Sequence, residues 1–174
     1  PTDENGALKE WVNDHVEYEP GHRHRSPFIC FCPGTSITQK TAPKTVSAIE
    51  KLLDRRLSYG NGMSTAFSYS WDAHILARLN RAYEMLTKLA YIHILPNLLL
   101  TTNDGNGMGG GISWFVGVQL MQVEAHIAMI SGITEMILQD TDKTLRLLPA
   151  LPDNLPSGEI VGLHTREGFK VDIF

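Results

Sequence analysis

Two groups of residues have types and spacing suited to chemistry. The denser is His22-Arg23-His24, two imidazoles around a guanidinium, bracketed by Pro20-Gly21 and Pro27. Such a set can hydrogen-bond a polar ligand such as a sugar, or it can satisfy itself as an ordinary loop. Adding Cys30 and Cys32 gives H-x-H-x5-C-x-C. Zinc accepts those ligand types, but paired ligands of structural sites usually stand about two to four residues apart, so no metal is assigned. The cysteines themselves read as free thiols, because a disulfide across one intervening residue closes a small, strained ring. The second group is Glu124 and His126, in the opening turn of MQVEAHIAMISGITEMILQ, residues 121–139. That run has helical spacing and is apolar nearly all round, which predicts a buried helix. A carboxylate and an imidazole at its start need polar partners or a site to line. Glu124 also suits the positive end of a helix dipole without any further role. No nucleophile-elbow pattern occurs, so a Ser-His-Asp arrangement has no support.

The elements that must position these residues are mostly helices. Leu8, Trp11, Val12 and His15 make a short helical face over 8–18, stopped by Glu19-Pro20-Gly21. Over 41–58, Val46, Ile49, Leu53 and Leu57 form one apolar stripe, with Thr41 or Ala42 as cap and Pro43 in the first turn. Tyr59-Gly60-Asn61-Gly62 ends that helix. Trp71, Ile75 and Leu79 place a second helix over 67–79, and 82–89 reads as a third or as its kinked continuation. The glycine-rich stretch 105–111 lacks the strand and helix that a dinucleotide-binding turn requires, so it reads as a loop. Beyond the long helix come Pro149, Pro152 and Pro156 and then two alternating runs, 159–165 and 169–173, around Arg166-Glu167-Gly168. This is a β-hairpin signal. The division is a helical region over 1–143 and a small β unit over 144–174.

Composition excludes several classes. With 174 residues, 43% hydrophobic and 20% charged, the chain is ordinary globular material. A net charge of −4 offers no basic field for nucleic acid or anionic lipid. No apolar run reaches the length of a membrane span. No cofactor is implied, and composition leaves the compartment open.

Several stretches, in this order, resemble the C-terminal part of the inverting α-1,2-L-fucosidase family of glycoside hydrolases. They are GALKEW (6–11), EPGHRHRS (19–26), PGTSIT (33–38), LLDRRLSYGNG (52–62), SYSWDAHILARL (68–79), LPNLL (95–99), QVEAH and GITEMILQ within 122–139, and LLPALPDNLPSGEIVGLHTREGFKVDI (147–173). The resemblance implies a mainly α fold: part of a six-hairpin α/α toroid followed by a small antiparallel β segment. It also implies inverting hydrolysis of terminal α-linked fucose, with two carboxyl groups spaced to admit a water. Glu124 stands where the family's general base stands, in Gln122-Val123-Glu124-Ala125-His126-Ile127, although Glu replaces Asp and His126 replaces an asparagine. Arg23 and His24, with His22 beside them, stand where the family holds fucose hydroxyls. The resemblance puts the general acid in an earlier half of the domain, outside the matched stretches. A fucosylated oligosaccharide is then the expected partner, secretion is suggested by the resemblance alone, and self-association through exposed faces of the helices over 41–58 and 67–91 is expected. The alternatives are a non-catalytic carbohydrate-binding or structural remnant of that fold, and a helical interaction module.

Overall fold

In the computed structural model, which describes residues 1–13, 17–59, 65–81, 94, 97–101, 120–153 and 155–174, the apolar stripe over 41–58 becomes helix α1, Pro43–Ser58. Val46, Ile49, Leu52 and Leu53 recur along one face, and all four are at most 2% exposed. Burying a leucine this completely contributes about 1.5–3 kcal/mol. Pro43 fills the first turn, where its missing N–H costs nothing. The preceding turn is tied by a reciprocal pair: Thr38 N–H donates to Thr41 Oγ1 and Thr41 N–H to Thr38 Oγ1, both at 3.1 Å.

Helix α2 spans Ala66–Arg78. Thr65 and Ser68 close a capping box at its start, each side chain accepting from the other's N–H. Tyr69, Ala73, Ile75 and Leu76 lie in the same core as the α1 stripe, with Phe28 and Phe31 from the preceding loop. Asn80 takes the left-handed conformation (φ 60°) that ends the helix, and Arg81 N–H reaches back to the Leu76 carbonyl at 2.7 Å. The expected third helix over 82–89 and the glycine-rich stretch lie outside the described residues.

Helix α3, Val123–Ile137, packs along α2 in the same direction. Phe67 N–H meets the Gln122 side chain at one end, Ser70 Oγ donates to the Ala125 carbonyl, and the Gln139 amide donates to the Ala77 carbonyl at the other end. The contact is close because it uses small residues: a Cβ on Gly132 would stand 2.9 Å from the His74 ring and 3.4 Å from Ala73 Cβ.

Four expectations change here. Residues 8–13 and 17–18 are not helical, because Leu8 is drawn into main-chain pairing with Thr2 and donates its N–H to the Ala48 carbonyl. The long helix ends at Ile137, not Gln139, since the chain passes directly into strand β1, Leu138–Thr141. And α3 is not buried all round. Ala125, Gly132 and Met136 face inward, whereas Val123, Ile127, Ile130 and Ile133 are 40–66% exposed along the opposite side. The α1 stripe, expected to be an exposed face, is the core.

Strand β1 pairs antiparallel with β2, Thr144–Leu147, across a two-residue turn in which Asp142 and Lys143 both have φ 55°. Two positive φ values in sequence are the geometry that matches the twist of a tight hairpin. The expected division after residue 143 would separate the two strands of this hairpin. The second hairpin, β3 (Ile160–His164) with β4 (Lys170–Ile173), stands where the alternation placed it. Asp140 on β1 holds its turn, accepting from Arg166 N–H at 2.7 Å and Glu167 N–H at 3.4 Å. The architecture is therefore mainly helical with two small antiparallel hairpins after the helices. No described helix is long and apolar enough to cross a membrane.

His74 sits in the α2–α3 contact with one ring nitrogen bonded to the Ala128 main chain and Nε2 buried without a partner among the described residues. Burial lowers its pKa below the ordinary 6.5, against the pull of Glu135 and with a smaller push from Arg78. The folded chain thus binds fewer protons at this ring than the unfolded chain. Stability should fall as pH drops through about 6.5 and below. Urea denaturation between pH 7.5 and 5 should show this slope, and His74→Leu should make it shallower.

Candidate functional site

The loop carrying His22-Arg23-His24 is organised by α2. Arg25, 1% exposed, meets Asp72, 0% exposed, through two hydrogen bonds: Nε to Oδ1 at 2.6 Å and Nη2 to Oδ2 at 2.7 Å. Burial disfavours the Arg25 cation, but the Asp72 charge and hydrogen bonds outweigh this and leave its pKa raised. The third arm, Nη1, donates to the His22 carbonyl. Further along the loop, Trp71 Nε1 donates to the Cys32 carbonyl at 2.8 Å, and Arg78 donates to the carbonyls of Phe31 and Gly34. Arg78 is itself held bidentately by Glu135 of α3. The 3₁₀ turn Ser26–Phe28 and the buried Phe28 and Phe31 complete the anchor.

On this frame His22 and His24 meet edge to face, with ring centroids 4.7 Å apart. His22 Nδ1 is bonded to Glu19 Oε2 at 2.5 Å. His24 is exposed, and its pKa is lowered by partial burial and by the neighbouring Arg23, His22 and Arg25, with Glu10 opposing. Near neutral pH, a neutral His24 offers one donor and one acceptor, as a hydroxyl-bearing ligand requires. Arg23 is half-buried between them. Cys32 is buried and its thiol is pushed up to about 12, mainly by desolvation; Cys30 is exposed, and both are free. No group of three metal-ligating side chains occurs among the described residues.

Glu124 and His126 lie at the start of α3. Glu124 is exposed in the first turn, where the helix dipole favours a carboxylate. The residue before the helix, Gln122, caps α2 rather than its own helix: its Oε1 accepts from Phe67 N–H at 2.9 Å. His126 is engaged through both ring nitrogens. Nε2 accepts from Leu100 N–H at 2.8 Å, which places the proton on Nδ1, 3.0 Å from the Gln122 carbonyl it donates to. His126 therefore ties the Leu98–Thr101 segment to the turn that bears Glu124.

Both groups are anchored on α2: α3 through Phe67 and Ser70 near its start and Ala77 near its end, the loop through Asp72 at its middle and Arg78 at its end. No hydrogen bond or ion pair among the described residues joins Glu124 directly to His22, Arg23 or His24. Sequence reasoning assigned no role to Arg25 and Asp72. It also passed over the second nitrogen of His126. The signal for the first was the run of two imidazoles and two guanidiniums, His22–Arg25, next to Ser26-Pro27, too much charge for one short loop to leave unpaired.

A helical layer carrying an imidazole–guanidinium loop and a first-turn carboxylate, leading into a β unit, fits a glycoside hydrolase. The chain belongs to one such family: the glycosyl hydrolase family 95 catalytic domain matches residues 1–137, and the family's C-terminal domain matches residues 139–174. Alpha-L-fucosidase 2 of Arabidopsis thaliana is 36% identical over 173 residues, which cover 97% of this chain and 19% of that protein. Probable alpha-fucosidase A of Aspergillus oryzae is 27% identical over 188 residues, covering 96% of this chain and 25% of that protein. The chain thus spans between 19% and 25% of the length of these relatives.

The Arg25–Asp72 pair gives a direct stability test. Asp72→Asn leaves a buried guanidinium without its charge partner and should cost about 3–5 kcal/mol. The double change Arg25→Met with Asp72→Leu removes both charges and should cost less than Asp72→Asn alone, as read from urea-unfolding midpoints.

Proposed function

We propose that this chain forms the fucose-facing side of an inverting α-L-fucosidase site. The observation that carries the reading is the held His22-Arg23-His24 loop on the same helix, α2, to which Gln122 ties the turn bearing Glu124, in a chain of this family. In this account His24 and the free nitrogen of His22 hydrogen-bond sugar hydroxyls, and Arg23 supplies a cationic donor. Glu124 is the general base that takes a proton from the attacking water as it approaches the anomeric carbon. Inversion requires a second carboxyl across the bond, roughly 6.5–9.5 Å away, to protonate the leaving oxygen. That acid is not assigned to a residue of this chain. His126, with both nitrogens occupied by main chain, acts by setting the turn that presents Glu124.

The reading is tested by titrating the chain with L-fucose and following the histidine ring signals by NMR. His22 and His24 should shift on binding. His24→Ala should weaken binding about tenfold, the worth of one good hydrogen bond. Glu124→Gln should leave affinity within a few-fold, since a base acts on water and not on the bound sugar. An unaltered histidine spectrum at saturating fucose would count against the assignment.

A second reading concerns partners and rests on the exposed stripe Val123, Ile127, Ile130 and Ile133. A contiguous apolar face of this kind marks an association surface. We propose that copies of the chain associate through it. Light scattering should show concentration-dependent growth in mass that Ile130→Glu abolishes.

A further inference from the structure

Arg56 lies in the last turn of α1, 1% exposed, and belongs to neither of the groups above. Its Nη1 donates to the His24 carbonyl at 2.7 Å, and its Nη2 donates to Glu10 Oε2 at 2.7 Å, with Glu17 3.8 Å away. The buried Nε has no partner among the described residues. The neighbouring Arg55 is fixed by Asp3 and Glu17, so this end of α1 grips the amino-terminal segment through several carboxylates at once.

The target of Arg56 is specific. The carbonyls of His22 and His24 are each held by a guanidinium: the first by Arg25, the second by Arg56. Fixing both carbonyls fixes the His22–Arg23 and His24–Arg25 peptide planes, which enclose the Arg23–His24 link. That sets the direction in which the His22, Arg23 and His24 side chains leave the backbone. A lysine keeps the charge but has no planar fork, so it cannot reach the carbonyl and the carboxylate together in this geometry.

We propose that Arg56 is a positioning residue for the His22–His24 loop, holding His24 in the orientation that receives the sugar. Glu10 orients Arg56 in turn. The sugar part of this rests on the function proposed above; the positioning part does not.

The test uses the whole chain and two variants that keep the charge, Arg56→Lys and Glu10→Asp. The readouts are the His24 ring titration followed by NMR and L-fucose affinity. In the native chain the His24 midpoint lies below 6.5 because of partial burial and the nearby cations Arg23, Arg25 and His22. With the loop released, the midpoint should rise toward that ordinary value in Arg56→Lys, although the net charge is unchanged. Fucose affinity should fall about tenfold, the loss of one charge-assisted hydrogen bond acting through position. Glu10→Asp, which keeps the carboxylate charge that acts on His24 but shortens its reach to Arg56, should change both readouts in the same direction by a smaller factor if Glu10 acts through Arg56. Should Arg56→Lys fail to fold, Glu10→Asp alone decides. A His24 midpoint in Glu10→Asp that does not move toward 6.5 overturns the proposal. So does an unchanged midpoint and affinity in a folded Arg56→Lys. Absence of fucose binding by the native chain would remove the sugar reading, while the His24 midpoint would still judge the positioning claim.

Discussion

The structure depends on one interaction more than any other, the buried pair of Arg25 and Asp72. Both side chains are withdrawn from water almost completely, so each charge must be met in full or the fold loses several kcal/mol. The fork geometry meets it with two parallel hydrogen bonds, and that geometry is demanding. It fixes the loop around residues 22–34 to the middle of α2 as firmly as a core residue would. The other contacts of that loop are of the same type: a guanidinium or an indole N–H reaching from a helix to a loop carbonyl. A loop of this length has too few apolar side chains to pack by itself. It is ordered by donors that the helices lend to it.

This explains why His22 and His24 stand on an irregular segment without being left to fluctuate. His22 and His24 project from main chain whose carbonyls already have partners. The carboxylate end of the site is built differently. Glu124 sits on a regular helix whose first turn is tied sideways, Gln122 to α2 and His126 to the Leu100 segment. One side of the site rests on charge pairing and the other on main-chain hydrogen bonding, and α2 is common to both.

Much of the fold was legible because it follows local rules. The stripe Val46, Ile49, Leu53 and the Pro43 start gave α1 within two residues, and Trp71 and Ile75 gave α2. The alternation at 159–173 gave the last hairpin, because turn chemistry and period agreed there. The β1–β2 hairpin was not legible: Asp142-Lys143 is a weak turn signal, and Leu138 and Gln139 continue the helical apolar pattern into the strand. The exposure of one side of α3 was also hidden, since periodicity reports which residues are apolar and not what covers them. The ion pairs that organise the site join residues far apart in sequence, 47 positions for Arg25 and Asp72, and no local pattern encodes such a pairing. His126 illustrates the same limit: its residue type suggested a ligand contact, whereas its two nitrogens serve the main chain.

Family membership and the held His22–His24 loop together support the proposed sugar site. The most direct measurement is a crystal structure of the chain grown with L-fucose. The account predicts the sugar within hydrogen-bond distance of His22, Arg23 or His24, with the Glu124 carboxylate turned toward the same cavity. Fucose bound on another face, or Glu124 on the surface opposite His24, would contradict it.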